Sequence, residues 1–173
     1  VMGLETKGLG GLKTWFLPAI FALVYAGVTS VVLAARLQQP MTHFQELLNS
    51  INSVGVFIFF ILTAVLTAPF FEEVIFRGFF FYVIRPFKGT VFAVFFVALL
   101  FGFLHLEQYW GDWGAIAVVG CFGFALTLLR SWTGSAIPGM VAHYVYNTSL
   151  VVIPVVVVIV SNPVYFDYQL NYY

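Results

Sequence analysis

The sequence predicts an all-α, polytopic transmembrane helical bundle of about five spans plus a short interfacial amphipathic helix. Two observations carry that prediction. Hydrophobic residues make up 62% of the chain and charged residues 8%, with a mean hydropathy of +1.01. A soluble domain carries about 25% charged residues, so these few could not coat a globule in polar groups. The apolar residues also fall in runs close to the roughly 20 residues a helix needs to cross the hydrocarbon. These runs lie at about 15–35, 54–84, 90–106, 114–130 and 136–160.

The 173 residues allow one integral membrane domain, 1–173. Within it, WFLPAIFALVYAGVTSVVLAA reads as a retained first span, being too long for the apolar core of a signal peptide. The next segment, PMTHFQELLNSIN, sets Met41, Phe44, Leu47, Leu48 and Ile51 at helical spacing, with Thr42 and Gln45 as a capping box. It predicts an amphipathic helix at the membrane interface. Span two is too long at 54–84, and Pro69 inside it predicts a kink that frees the carbonyl of Val65 four residues back. The remaining loops are short, so successive spans run antiparallel. Arg130 and Trp132 at the end of span four read as interfacial anchors, and the single cysteine, Cys121, as a buried structural thiol.

Alternating the spans sends Lys7, Lys13, Arg85, Lys88 and Arg130 to one side and only Arg36 to the other. The positive-inside rule makes the first side cytoplasmic, so the N-terminus is inside and the C-terminus outside. The aromatic tail (Tyr165, Phe166, Tyr168, Tyr172 and Tyr173) falls in the outer interfacial belt. The net charge is zero, with no basic patch for nucleic acid. One cysteine excludes an internal disulfide framework and a multi-cysteine metal site.

The stretch FFEEVIFRGFFF, residues 70–81, places two glutamates and an arginine in the apolar run of span two. Counted at 1.5 Å per residue from the cytoplasmic ends, Glu72 lies roughly 18 Å deep, His105 roughly 22 Å and His143 roughly 13 Å. Three polar groups on three spans therefore meet near the middle of the bilayer, where each costs roughly 2.5–3.5 kcal/mol to insert. Glu73 and Arg77 are four apart and share a helix face, so they pair as structural support. Glu72 points about 100° away and remains the free carboxylate, suited to general acid–base work. His143 and Asn147, also four apart, can both donate hydrogen bonds as oxyanion stabilisers do. His105 can orient or share a water with Glu72, and Phe101 one turn below it reads as packing. Glu107 reads as a solvated span end beside Gln108, Gly111 and Asp112.

These residues carry a pattern. EEVIFR matches E-E-x-x-x-R, FGFLH matches F-x-x-x-H, and GSAIPGMVAHYVYN resembles a Gly-Ser start followed by H-x-x-x-N. In this order on successive apolar segments, they resemble the CPBP family of intramembrane proteases, the CAAX proteases and Abi proteins, including Rce1-like prenyl-protein proteases. The resemblance covers about 54–150, the protease-like core. It implies intramembrane hydrolysis of a peptide bond in a membrane-associated protein or peptide, with a lipidated chain among the substrates it allows. In that implied scheme Glu72 is the water-activating base working with His105. His143 and Asn147 are the oxyanion partners, and Glu73 and Arg77 the architectural pair. No cofactor is favoured; Zn²⁺ on Glu72, His105 and His143 is the alternative, against which stands the lack of an H-E-x-x-H helix. The small size points, by analogy, to a bacterial cytoplasmic membrane. Two other readings use the same residues: a proton or ion pathway, and a non-proteolytic immunity or scaffold protein of the same fold.

Overall fold

The computed structural model describes residues 3–5, 10, 11, 13–35 and 43–161. Lys7, Arg36, Met41, the Thr42–Gln45 capping box and the aromatic tail at 165–173 lie outside what it describes. Among the described residues every regular element is helical: α1 (Lys13–Ala34), α2 (His43–Ser50), α3 (Val54–Leu62), a π-helical segment (Thr63–Thr67), α4 (Ala68–Glu72), a second π-helical segment (Glu73–Phe80), α5 (Phe81–Leu104), α6 (Trp113–Thr133) and α7 (Ile137–Ser161). Among the described residues, three stretches are long and apolar enough to cross a membrane, namely Lys13–Leu33, Val54–Leu104 and Trp113–Thr133. Large apolar side chains face outward along them, with Phe59 72%, Leu99 72% and Val31 70% exposed. In water that surface would be untenable; against acyl chains it is the ordinary exterior.

The 51 residues of Val54–Leu104 would make a straight helix about 76 Å long, more than twice the roughly 30 Å of hydrocarbon. Gly89 prevents this. Its φ of 82° and ψ of 166° are non-helical and open to a residue without Cβ. Arg85 Nε donates to Thr90 Oγ1 across the break at 3.2 Å, and farther out the rings of Phe76 and Phe101 meet at 5.1 Å. Both contacts centre on the same point, so the chain doubles back there. The expected loop between spans two and three is therefore a reversal at one glycine, with Pro86, Phe87 and Lys88 still helical before it.

Two cores hold the bundle. In one, Ala22 and Ala26 of α1 pack against Phe122 and Leu126 of α6 and Ala142 and Tyr146 of α7. Small residues four apart let helices approach closely where lipid offers no hydrophobic drive. Thr29 and Ser30 return their hydroxyls to Tyr25 O and Ala26 O, and Thr29 also meets Tyr146 Oη at 3.2 Å. The other core is the hairpin seam of Phe76, Phe81, Ala93, Val94, Val97 and Phe101. Asp112 caps α6 by accepting from Ala115 N at 3.0 Å, so it is buried rather than solvated as expected. Gly134, φ 70°, ends α6 in the left-handed region.

The short helix expected after span one is present as α2, with Leu47 exposed, and His43 Nδ1 donates to Glu107 O at 3.1 Å. Glu107 itself is exposed, as expected. Two expectations are corrected. Cys121 is exposed, because a thiol on an apolar run can face lipid instead of the protein interior. Arg130 is buried, 4% exposed, with Nε donating to Arg77 O at 3.0 Å and its guanidinium over the Phe81 ring. The π-helical register around Arg77 leaves a carbonyl to be met from outside, and a long side chain one turn from the end of α6 reaches it. Trp132 beside it is 77% exposed.

Candidate active site

The polar centre is built on the second π-helical segment. Glu73 and Arg77 pair as their spacing predicts, Nη1 to Oε1 at 2.8 Å, with both side chains fully buried. The pair is not self-contained. Arg77 Nε donates to Thr127 Oγ1 at 3.2 Å and Nη2 to Gly123 O at 2.6 Å. Thr127 in turn donates to Gly123 O. The guanidinium also lies over the Phe101 ring, 4.6 Å from its centroid. That ring can approach because position 123 is glycine: a Cβ there would sit 2.5 Å from Phe101 Cδ1.

Glu73 turns its other side to α7. Its Oε1 also accepts from His143 Nδ1 at 3.0 Å. Its Oε2 is buried without a hydrogen-bond partner among the described residues, and a Cβ at Gly139 would come within 3.0 Å of it. His143 is 4% exposed, with its ring edge-on to Phe101 and Phe122. The Glu73 bond fixes a proton on Nδ1 and leaves Nε2 facing Glu72, 3.6 Å from Oε2. Glu72 is one quarter exposed, and among the described residues its carboxylate has no hydrogen-bond partner. The structure thus brings together Glu72, Glu73, Arg77 and His143.

His105 and Asn147 each hold a backbone carbonyl. His105 caps the C-terminus of α5, and its Nδ1 donates to Phe101 O at 2.7 Å. It makes no hydrogen bond or ion pair to Glu72, and it stacks on Phe101, centroids 4.4 Å apart, leaving Nε2 as the face available to a water. The ligand set Glu72, His105 and His143 is not assembled: no three His, Cys, Asp or Glu side chains converge among the described residues. Phe101 is packing, as expected, but packing at the centre of the site.

Asn147 Nδ2 donates to Ala64 O at 2.8 Å. The reason lies in the first π-helical segment. Ala68 N bonds Thr63 O, five residues back, so the next bond in that register would run from residue 69 to Ala64. Residue 69 is proline and has no N–H. α-Helical counting assigns the orphaned carbonyl to Val65; the π register moves it to Ala64, and Asn147 supplies the missing donor. One turn earlier on α7, Tyr144 Oη donates to Leu66 O at 3.1 Å.

Sequence reasoning missed Tyr109 in the turn between α5 and α6. Burial raises its phenol above the ordinary tyrosine range, and the charges of Tyr146 and Glu72 add to this. It therefore stays protonated near the Glu72 carboxylate. No motif marks it, since a tyrosine in a polar loop carries no spacing signal. Gly123 and Thr127 did carry one: they stand four apart on an otherwise apolar helix, as Glu73 and Arg77 do.

A family model described as Rce1-like, type II CAAX prenyl endopeptidase Rce1-like, matches residues 54–149. No curated protein and no solved structure matches the chain.

Proposed function

Because the chain belongs to the Rce1-like family of type II CAAX prenyl endopeptidases, a family of proteases, we propose that it hydrolyses a peptide bond of a membrane-associated polypeptide with a water activated by Glu72. The observation that carries this reading is the contrast within the acidic pair. Glu73 is fully buried and engaged at Oε1 by both Arg77 and His143, whereas Glu72 is partly exposed and has its carboxylate open beside His143 Nε2.

The steps follow from those atoms. Glu72 accepts a proton from the water as its oxygen adds to the carbonyl carbon, with His105 Nε2 as a second acceptor that orients the water. The carbonyl oxygen becomes an oxyanion. Asn147 meets it with the Nδ2–H not engaged by Ala64 O. His143, whose Nδ1–H is held by Glu73, keeps Nε2 turned to Glu72 and positions its carboxylate. Glu72 then returns the proton to the leaving amine as the C–N bond breaks. Every step uses this chain's own residues, so the reading favours a metal-free glutamate protease. Chelator-resistant turnover with no bound metal by elemental analysis is expected, and stoichiometric zinc in the active protein would overturn it.

The same reading takes the bundle as five spans, with the hairpin at Gly89 counted as two and α7 as the last. It places the N-terminus on the cytoplasmic side of a bacterial membrane, with the substrate a lipidated or otherwise membrane-bound chain. The test is N-terminal peptide mapping of membranes that express the parent or Glu72→Gln at matched levels. New peptide ends are expected with the parent alone and would name the substrate. The same ends with both proteins would refute the role of Glu72.

A further inference from the structure

Position 123 of α6 lies outside the E-E-x-x-x-R, F-x-x-x-H and H-x-x-x-N motifs, yet the site closes around it. Gly123 is buried, and a Cβ added there would meet Phe101 Cδ1, Cγ and Cε1 at 2.5, 3.1 and 3.2 Å. In a close-packed interior a methyl at that distance forces something to move. Helix α6 is not free to slide away, because it is pinned at this residue. Gly123 O accepts from Arg77 Nη2 at 2.6 Å and from Thr127 Oγ1 at 2.7 Å, and Arg77 Nε donates to the same hydroxyl. Nearby, α5 and α6 lie so close that a Cβ on Gly102 would touch Gly120 Cα at 3.6 Å. The ring of Phe101 is therefore what yields.

That ring has no neutral direction in which to move. Phe101 is buried, with the Arg77 guanidinium 4.6 Å from its centroid and the rings of His105, Phe76 and His143 at 4.4, 5.1 and 6.1 Å. His105 depends on this residue twice. Its Nδ1 donates to Phe101 O at 2.7 Å, and its face lies against the Phe101 ring. The hydrogen bond fixes one point of the imidazole and the ring contact fixes its plane; together they aim Nε2. A misplacement of about 1 Å at a reacting group can cost about 10²-fold in rate, so a methyl on α6 reaches the chemistry through one intervening ring.

We propose that Gly123 is a positioning residue for hydrolysis: it admits the Phe101 ring, and the ring holds the His105 imidazole in the orientation that receives the water. The proposal rests on the proteolytic reading of the site, so its first readout needs no substrate. The protein is purified in detergent with ¹⁵N-labelled histidine, and exchange of the His105 Nδ1–H is followed by NMR. The chain has three histidines, and His105→Gln assigns the signal. Gly120→Ala is the control, because it makes the same change on the same helix with nothing within 4 Å of the new Cβ; it is expected to match the parent. Gly123→Ala is expected to exchange the proton up to about tenfold faster, the scale of one lost aromatic contact. Turnover of a quenched peptide carrying a mapped cleavage sequence is expected to fall about 10²-fold, in kcat and kcat/KM together. Phe101→Leu introduces no clash and is expected to act alike on both readouts, so the test stands if Gly123→Ala fails to fold. The double variant Gly123→Ala/Phe101→Leu should melt above Gly123→Ala, since the ring it strikes is gone, while its turnover stays low. Exchange at the parent rate in Phe101→Leu or in folded Gly123→Ala overturns the proposal. So does turnover that returns in the double variant along with its melting temperature, which would make Gly123 structural alone. A parent without turnover would refute the hydrolytic reading and leave the exchange rates to decide the placement of His105.

Discussion

Glu72 and Glu73 are neighbours in the chain and opposites in the structure. Glu73 is fully buried and held by a guanidinium and an imidazole, and Arg77 behind it is tied to Thr127 and the Gly123 carbonyl. Glu72 is partly exposed and faces His143 across 3.6 Å without a hydrogen bond of its own. A helix turns about 100° per residue, which is enough to point one carboxylate into a network and the next toward an opening. The difference separates two tasks that a charge in a membrane can have. One fixes geometry by being buried and paired; the other stays reactive by being exposed and without a hydrogen bond.

That contrast can be broken from either side. Glu72→Gln keeps the shape and removes the base, so turnover should fall about 10²- to 10⁴-fold while the detergent melting temperature stays near that of the parent; a large loss of stability would show that Glu72 is structural as well. Arg77→Ala should do the reverse in kind. It leaves Glu73 buried beside His143 with its main counter-charge gone, at about 3–5 kcal/mol for breaking a buried pair. A variant that melts like the parent would sink the buried, paired half of the comparison. Gly139→Ala pushes a methyl against Glu73 Oε2 and should cost about 1–3 kcal/mol as overpacking, with activity lost in proportion to folded protein; an unchanged melting curve would mean that this wall yields. Pro69→Ala is the mildest change. It restores an N–H that can bond Ala64 O, so stability should move by no more than about 1 kcal/mol. The Asn147 side-chain amide, no longer needed there, should exchange its protons faster by NMR; exchange as slow as in the parent would show that the Ala64 carbonyl does not anchor it.

Much of this was legible in the residues. Low charge and apolar runs predicted the helical membrane fold. The four-residue spacing of Glu73 and Arg77 predicted their pair, and the depth argument brought Glu72 and His143 to one level. The errors share a cause. Counting in α-helical steps put the proline's orphaned carbonyl on Val65, because nothing in TAVLT announces a π register. Reading Arg130 as an anchor, and Cys121 as buried, treated position along a span as if it fixed orientation around it. His105 lies at a helix end that a run of apolar residues does not locate, so its bond to Phe101 O was out of reach. Tyr109 depends on how a turn folds over the bundle, which is a tertiary fact.

The reversal at Gly89 has a meaning for assembly. In Val54–Leu104 two apolar arms are parted only by the short RPFKG turn. Arg85, Pro86 and Lys88 mark where the first arm ends, and Gly89 supplies a backbone angle that a side chain would disfavour. If that angle is not adopted, Phe101 is not carried back to Phe76 and Arg77. A residue with no side chain, far from any chemistry, thereby decides whether the aromatic wall of the site is assembled.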